Sequence, residues 1–397
     1  MDEGLESNGA CEQDGPDASP TLVNRMISVA DEQLLRGFVG RLKWTAAEVD
    51  SLRRFGFSDS YMYVLRPADG SGQPHVAKIG PASKIRRERR AWHSVRGYLE
   101  TDDVIHCSDS EARRAGLCFR LRSRTGRDTD VVELDDYYRK ALVGDGRAKD
   151  ELMEHLTEVY DTMSGAHHVA PIIEKRTYRA LFTRYLRTGA STNRAQLLFR
   201  GDGTPLEICG HVVSEDPLHS LPKLLDRTVD TFYVCAVHGD LHLSNVVISR
   251  GRPHLVDYEW AGLRDHLAKD FVLMESSLRF MRFPRHVHPR VLLQVDRLLN
   301  SEWDVEVARE GLSAKLNRSS AVAVNCMLDV VGTIRRQFES IVMQFMPIKR
   351  RWMREYFTCL YLILAGQQRF DTFPLTRTVI NLQQLEQWTQ ELGGEKS

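Results

Sequence analysis

The run Tyr61-Met62-Tyr63-Val64-Leu65 is rich in aromatic and aliphatic residues and, after the turn Asp69-Gly70-Ser71-Gly72, a second run follows, His75-Val76-Ala77-Lys78-Ile79-Gly80. Two such runs about a Gly-rich turn predict a β-hairpin. From Ser83 to Tyr98 the period becomes helical, with Ser83 as N-cap and Ile85, Glu88, Trp92 and Val95 on one face. An earlier helix is expected over Ala30 to Leu42. Two more strands are expected at Val104–Cys107 and Gly116–Leu121, the second leading to a hinge near Leu121 to Ser123. Helices broken at Gly144-Asp145-Gly146 fill Val131 to Met163, and a small hairpin is expected around Gly201-Asp202-Gly203. Further on, Val246-Val247-Ile248 and Leu255-Val256 read as short strands around a turn at Arg250-Gly251-Arg252-Pro253. The remainder is helical by pattern, with Leu292, Val295, Leu298 and Leu299 on one face and Phe357 to Leu364 as a buried helix.

Composition narrows the class. A chain of 397 residues, 42% hydrophobic and 27% charged, is long enough for a sizeable core. Lys plus Arg and Asp plus Glu both number 54, and a net charge of zero argues against a dedicated nucleic-acid binder. The seven cysteines are scattered and form no CxxC, the usage of reduced thiols in a cytoplasmic protein without a zinc site. The apolar run Phe357 to Ala365 is about half of what a membrane span needs. Residues 1–20 hold six acids and no Lys or Arg, so 1–29 is expected to be a disordered acidic tail.

The densest chemistry lies in Val237-His238-Gly239-Asp240-Leu241-His242-Leu243-Ser244-Asn245, followed across the hairpin by Asp257. Asp240 and Asn245 have four residues between them, the catalytic-loop spacing of protein kinases. In that arrangement an Asp orients or deprotonates a hydroxyl and an Asn holds Mg2+. Hard Mg2+ takes a few oxygen ligands and keeps the rest for water and phosphate, so one Asn and one Asp suffice. Upstream, Glu88 falls on the apolar stripe of its helix, and a carboxylate there needs a cationic partner. Lys78 on the preceding strand is one candidate, and a neighbouring Arg on the same helix is the other.

The motif His238-Gly239-Asp240-x-His242-x-x-Asn245 resembles the aminoglycoside phosphotransferase and choline kinase branch of the protein kinase-like fold. The segment His266-x-x-Lys269-Asp270-Phe271-x-x-x-Glu275 looks most like a bacterial subgroup, the ternary complex associated domains. The resemblance implies an α+β, bilobal fold. Its N-lobe, 30–122, would hold a small antiparallel sheet and one key helix, and its mainly helical C-lobe, 123–397, would carry the catalytic loop at 237–257.

It also implies roles for particular residues. Asp240 would be catalytic, and Asn245 and Asp257 would bind metal. Lys78, braced by Glu88, would grip the phosphates of ATP. Gly56, Phe57 and Ser58 would cover those phosphates, although this loop has one glycine where protein kinases have three. His238, His242 and Asp270 would shape and brace the loop.

Two functions follow from these readings. The first is an ATP- and Mg2+-dependent phosphotransferase acting on a small-molecule hydroxyl. The second is a kinase-like binding or scaffold module of a multicomponent bacterial system, with protein partners and no turnover. Neither nucleic acid nor membrane is an expected partner. Arg279, Arg282, Arg285 and Arg290 form one basic segment, with Lys349, Arg350, Arg351 and Arg354 as another. They either face the site, favouring an anionic or neutral acceptor, or form a solvated helix face.

Overall fold

The computed structural model describes residues 21–23, 27, 29–52, 60–70, 72–99, 104–109, 113–121, 131–168, 172–186, 206–208, 210–213, 216–312, 316–370 and 373–390. The chain divides into two compact units. The first comprises 1–132 with 246–261, and the second 133–245 with 262–397.

The first unit is built on a six-stranded sheet. Its strands are β1 (Thr21–Val23), β2 (Ala46–Ser51), β3 (Tyr61–Pro67), β4 (His75–Pro81), β5 (Val104–Asp109) and β6 (Arg114–Arg120), in the order β1-β2-β3-β4-β6-β5. β1 runs parallel to β2 and lies within the stretch expected to be tail. The other neighbours are antiparallel. Alternation along β3 and β4 sorts the side chains onto two faces. Tyr63, Leu65, Ala77 and Ile79 pack with Leu34, Leu35 and Phe38 of helix α1 (Val29–Arg41). Gly116 is required where it stands, because a Cβ there would meet the Phe38 ring at 2.8 Å.

On the opposite face Met62, Val64 and Val76 pack with Leu121, Val131, Val247 and Val256. The last two flank a hairpin of β12 (Val246–Ser249) and β13 (Arg252–Leu255), which joins β7 (Val131–Glu133) in a second sheet. The turn is tighter than the four-residue reading. Arg250 and Gly251 both have positive φ, as a two-residue hairpin demands, and Pro253 sits on an edge strand where its missing N–H costs nothing.

Helix α2 (Ala82–Val95) buries the four residues its period predicts, Ile85, Glu88, Trp92 and Val95. Its N-cap is Pro81 rather than Ser83, and no side chain caps it. The loop 53–59, with Gly56, Phe57 and Ser58, lies outside the described residues, as do the tail 1–20, most of the hinge and the expected turn at 201–203.

The second unit is mainly helical. β7 replaces the expected start of a helix at Val131, and α3 (Leu134–Leu142) and α4 (Gly146–His168) then break where the glycines predict. β8 (Ile172–Thr177), β11 (Thr228–Val237) and β14 (Gly262–His266) form a three-stranded antiparallel sheet. Helix Lys349–Gln367 is buried continuously from Glu355 to Gly366, so it has no solvent stripe and lies in the core. On helix Pro289–Ser301, Leu292, Val295 and Leu299 are buried as expected and Leu298 is half-buried. The same face also carries Asp296 and Asn300. No helix among the described residues is long and apolar enough to cross a membrane.

Those polar groups belong to a buried ionic network. Glu275 accepts from Arg335 at 2.8 and 3.1 Å, from Arg279 at 2.7 Å and from the Tyr356 hydroxyl at 2.7 Å. Arg279 also reaches Asp296 and Asn300, and Arg377 donates to Asp296. Burial alone would raise the Glu275 carboxyl, but Arg335 and Arg279 outweigh it and hold it at about 2, below its ordinary 4.5. A carboxyl depressed on folding contributes stability above its unfolded value and loses it as pH falls through the folded value. Glu275→Gln strands Arg335 and should cost about 3–5 kcal/mol at pH 7. In denaturant titrations the gap between parent and variant should close as pH falls from about 4.5 to about 2. A gap that stays constant over that range would contradict the ionic role.

Candidate functional site

In the first unit, three ionisable side chains meet. The Lys78 ammonium donates to Glu88 Oε2 at 2.6 Å and to Asp257 Oδ1 at 2.6 Å. Lys78 and Glu88 are each 1% exposed and Asp257 9%. Lys78 shares strand parity with Val76, so it faces away from α1. Glu88 arrives from α2 on the helical period. Asp257 follows β13 in a left-handed conformation, φ 71° and ψ 64°, which Asp tolerates better than most residues. The other Glu88 oxygen accepts the Tyr258 N–H at 3.2 Å, and Arg87 pairs with Glu259, so α2 grips the segment after Asp257 at two points. Glu88 thus takes Lys78, not a helix neighbour, as its cation. One ammonium faces two carboxylates.

In the second unit, β11 delivers the loop that begins at His238. Gly239 has φ +78°, a conformation that costs glycine little. It turns the chain so that the His238 and Gly239 N–H groups both point at Asp270, donating to its two oxygens at 2.8 Å each. Asp270 opens helix Lys269–Ser276 and is fully buried. Burial pushes its carboxyl up to about 7, against the pull of those two donors. The Asn245 amide donates to the Asp240 carbonyl at 2.8 Å and approaches its carboxylate at 3.5 Å. His242 Nε2 lies 4.0 Å from the same carboxylate, and His238 is buried with Nδ1 accepting the Asp240 N–H at 3.4 Å. Asp240 is half-exposed, a carboxylate able to meet a hydroxyl from solvent. On Asn245 the carbonyl oxygen is the atom with metal-donor chemistry.

The structure therefore groups Lys78, Glu88 and Asp257 in one unit, and Asp240, Asn245, His238, His242 and Asp270 in the other. Three further residues surround the loop; in the sequence nothing singles out Tyr185, Arg282 stands only within a basic segment and Lys269 only as part of a motif. Tyr185 donates its hydroxyl to the Gly239 carbonyl. Arg282 reaches Ser244 Oγ at 3.2 Å and pairs with Asp135 at 2.9 Å. Lys269 is fully buried beside Asp265. Only Lys269 had a legible signal, its place beside Asp270 in the motif.

Comparison with known proteins adds a similarity to one family model. Residues 180–365 match the family model described as Ternary complex associated domain 9. None of the curated proteins compared with the chain matches its sequence. Among solved structures, one similar to it is a thermostable mutant of aminoglycoside phosphotransferase APH(4)-Ia in ternary complex with AMP-PNP and hygromycin B. The two are 12% identical, with 93% of this chain and 100% of that one covered and a TM-score of 0.45. Choline kinase LicA from Streptococcus pneumoniae is 14% identical, over 77% of this chain and 99% of that one, with a TM-score of 0.36. The chain is thus similar, over residues 180–365, to ternary complex associated domain 9, as the run from His266 to Glu275 implied, and its observed architecture is α+β.

Proposed function

We propose that this protein is an ATP- and Mg2+-dependent phosphotransferase whose acceptor is the hydroxyl of a small molecule. The observation that carries the reading is the Lys78–Glu88–Asp257 cluster. Burying an ammonium and two carboxylates is costly, and a purely structural core is built as well from apolar side chains. A strand Lys braced by a helix Glu is instead a phosphate grip. In this reading Lys78 binds the α- and β-phosphates, and Asn245 and Asp257 would hold Mg2+ through their side-chain oxygens. Bound there, the ion would supply positive charge to the phosphates. Asp240 holds the acceptor hydroxyl and takes its proton as that oxygen bonds to the γ-phosphorus. The bond from the γ-phosphorus to the bridging oxygen breaks, and ADP leaves with the electron pair.

Two arginines of the basic segments do not identify the acceptor. Arg279 is fully buried in the ionic network, and Arg282 is paired with Asp135, so neither argues for an anionic substrate. A second reading, a binding module without turnover, draws on the family description, which names a complex rather than a reaction.

Two experiments test these readings. Lys78→Met leaves Glu88 and Asp257 buried without their cation and should cost about 3–5 kcal/mol in stability, together with weakened Mg·ATP binding by calorimetry. Adding Glu88→Gln should restore part of the stability, so the double variant falls short of the sum; strict additivity would mean that the pair does not act as a unit.

Asp240→Ala should leave Mg·ATP affinity and thermal stability near the parent's while lowering phosphoryl transfer, measured as ADP release across a panel of hydroxyl acceptors, by roughly 10²–10⁴-fold. Absence of turnover in the parent, with partner binding indifferent to the substitution, would instead support the scaffold.

A further inference from the structure

The Gly239 peptide is held from both sides. Asp270 takes its N–H, and the Tyr185 hydroxyl donates to its carbonyl oxygen, the oxygen next in the chain to the Asp240 nitrogen. Tyr185 lies beyond α5 (Tyr178–Phe182) and is 8% exposed. Its ring does not stand alone. The Lys269 ammonium sits 4.9 Å from the Tyr185 ring centroid and 4.8 Å from that of Phe182, within the range of cation–π attraction. The same ammonium donates to the Leu181 carbonyl at 2.8 Å and pairs with Asp265. Lys269 precedes Asp270 in the chain, so one helix start holds the loop twice, through the Asp270 carboxylate and through the ring that Lys269 fixes.

We infer that Tyr185 is a positioning residue for Asp240, anchored by Lys269 and acting through the Gly239 carbonyl; what Asp240 does once positioned rests on the phosphotransferase reading. The geometry has a chemical rationale. Besides Tyr185, the Gly239–Asp240 peptide is held at the Asp240 N–H by His238 Nδ1 at 3.4 Å, a long bond that leaves the peptide room to rotate and swing the Asp240 side chain. A donor on the carbonyl stops the rotation. Burial, with Asp265, Asp240 and Asp270 nearby, raises the Tyr185 phenol well above its ordinary range, so it stays protonated and remains a donor throughout the neutral pH range. Phenylalanine fills the same space without the donor, which makes Tyr185→Phe the informative variant.

The test uses the full chain and two measurements. Tyr185→Phe should speed amide hydrogen exchange across 237–243 by roughly three- to tenfold, the size expected for one lost hydrogen bond, with thermal stability close to the parent's. Tyr178→Phe removes a hydroxyl from α5, the helix just before Tyr185, one that bonds Glu355, and should leave exchange across 237–243 unchanged. Turnover is read with Mg·ATP alone, water serving as the acceptor. There Tyr185→Phe should lower kcat roughly tenfold and leave the KM for ATP unaltered, a split that a general loss of structure would not give. Unaltered exchange at 237–243, or exchange raised equally throughout the second unit, would overturn the inference. A parent without turnover would count against the phosphotransferase reading alone, and the exchange comparison would still decide the role of Tyr185.

Discussion

A carboxylate without water sets the geometry of the loop. Asp270 is fully buried, and its two oxygens are satisfied by the N–H groups of His238 and Gly239. Those donors would otherwise be orphaned at the end of a buried strand, at a cost comparable to a lost hydrogen bond each. Satisfying them fixes Gly239 in its left-handed conformation, and that conformation puts Asp240 half in solvent beside the Asn245 amide. The helix that begins at Lys269 supplies the brace and, five residues after it, Glu275 at the centre of the arginine network. His266, Lys269, Asp270 and Glu275, the polar residues of one short motif, are therefore all buried, and each is spent on holding backbone or charge in place.

Charge is distributed unevenly inside a chain whose net charge is zero. Lys78 and Glu88 in the first unit, and Lys269, Asp270, Glu275, Arg279, Asp296 and Arg335 in the second, are almost wholly removed from water. Each meets an oppositely charged group or several hydrogen-bond donors. Buried ion pairs seldom out-stabilise apolar packing, but they tolerate few alternative arrangements, because a misplaced partner leaves a bare charge in a low-dielectric interior. In the second unit that constraint locks helices Pro289–Ser301, Arg318–Val342 and Leu375–Gln390 to the helix carrying Glu275. In the first it locks α2 to β4 and to the segment after Asp257. The first cluster differs in composition, since it holds more negative than positive charge and the second cluster's carboxylates are matched by arginines.

The sequence by itself determined what depends on near neighbours. The β3–β4 hairpin and the buried face of α2 span few residues, and periods of two and 3.6 reveal which side chains share a face. The spacing of Asp240 and Asn245, and the strand pair that follows, were legible for the same reason. The cation for Glu88 stayed open between Lys78 and an arginine until the chain folded. Tertiary structure alone decided the rest. Asp257 reaches Lys78 across 179 residues, and 246–261 packs into the unit of the first sheet although it follows a loop belonging to the other. Arg279 looks like a surface cation in the sequence and is a core residue. Tyr185, in a stretch without periodicity, finds a carbonyl 54 residues on. A pattern of apolar positions reports which face of an element turns inward; it carries no record of which distant polar group will be there to satisfy a buried charge or donor, and that pairing exists only once the chain has folded.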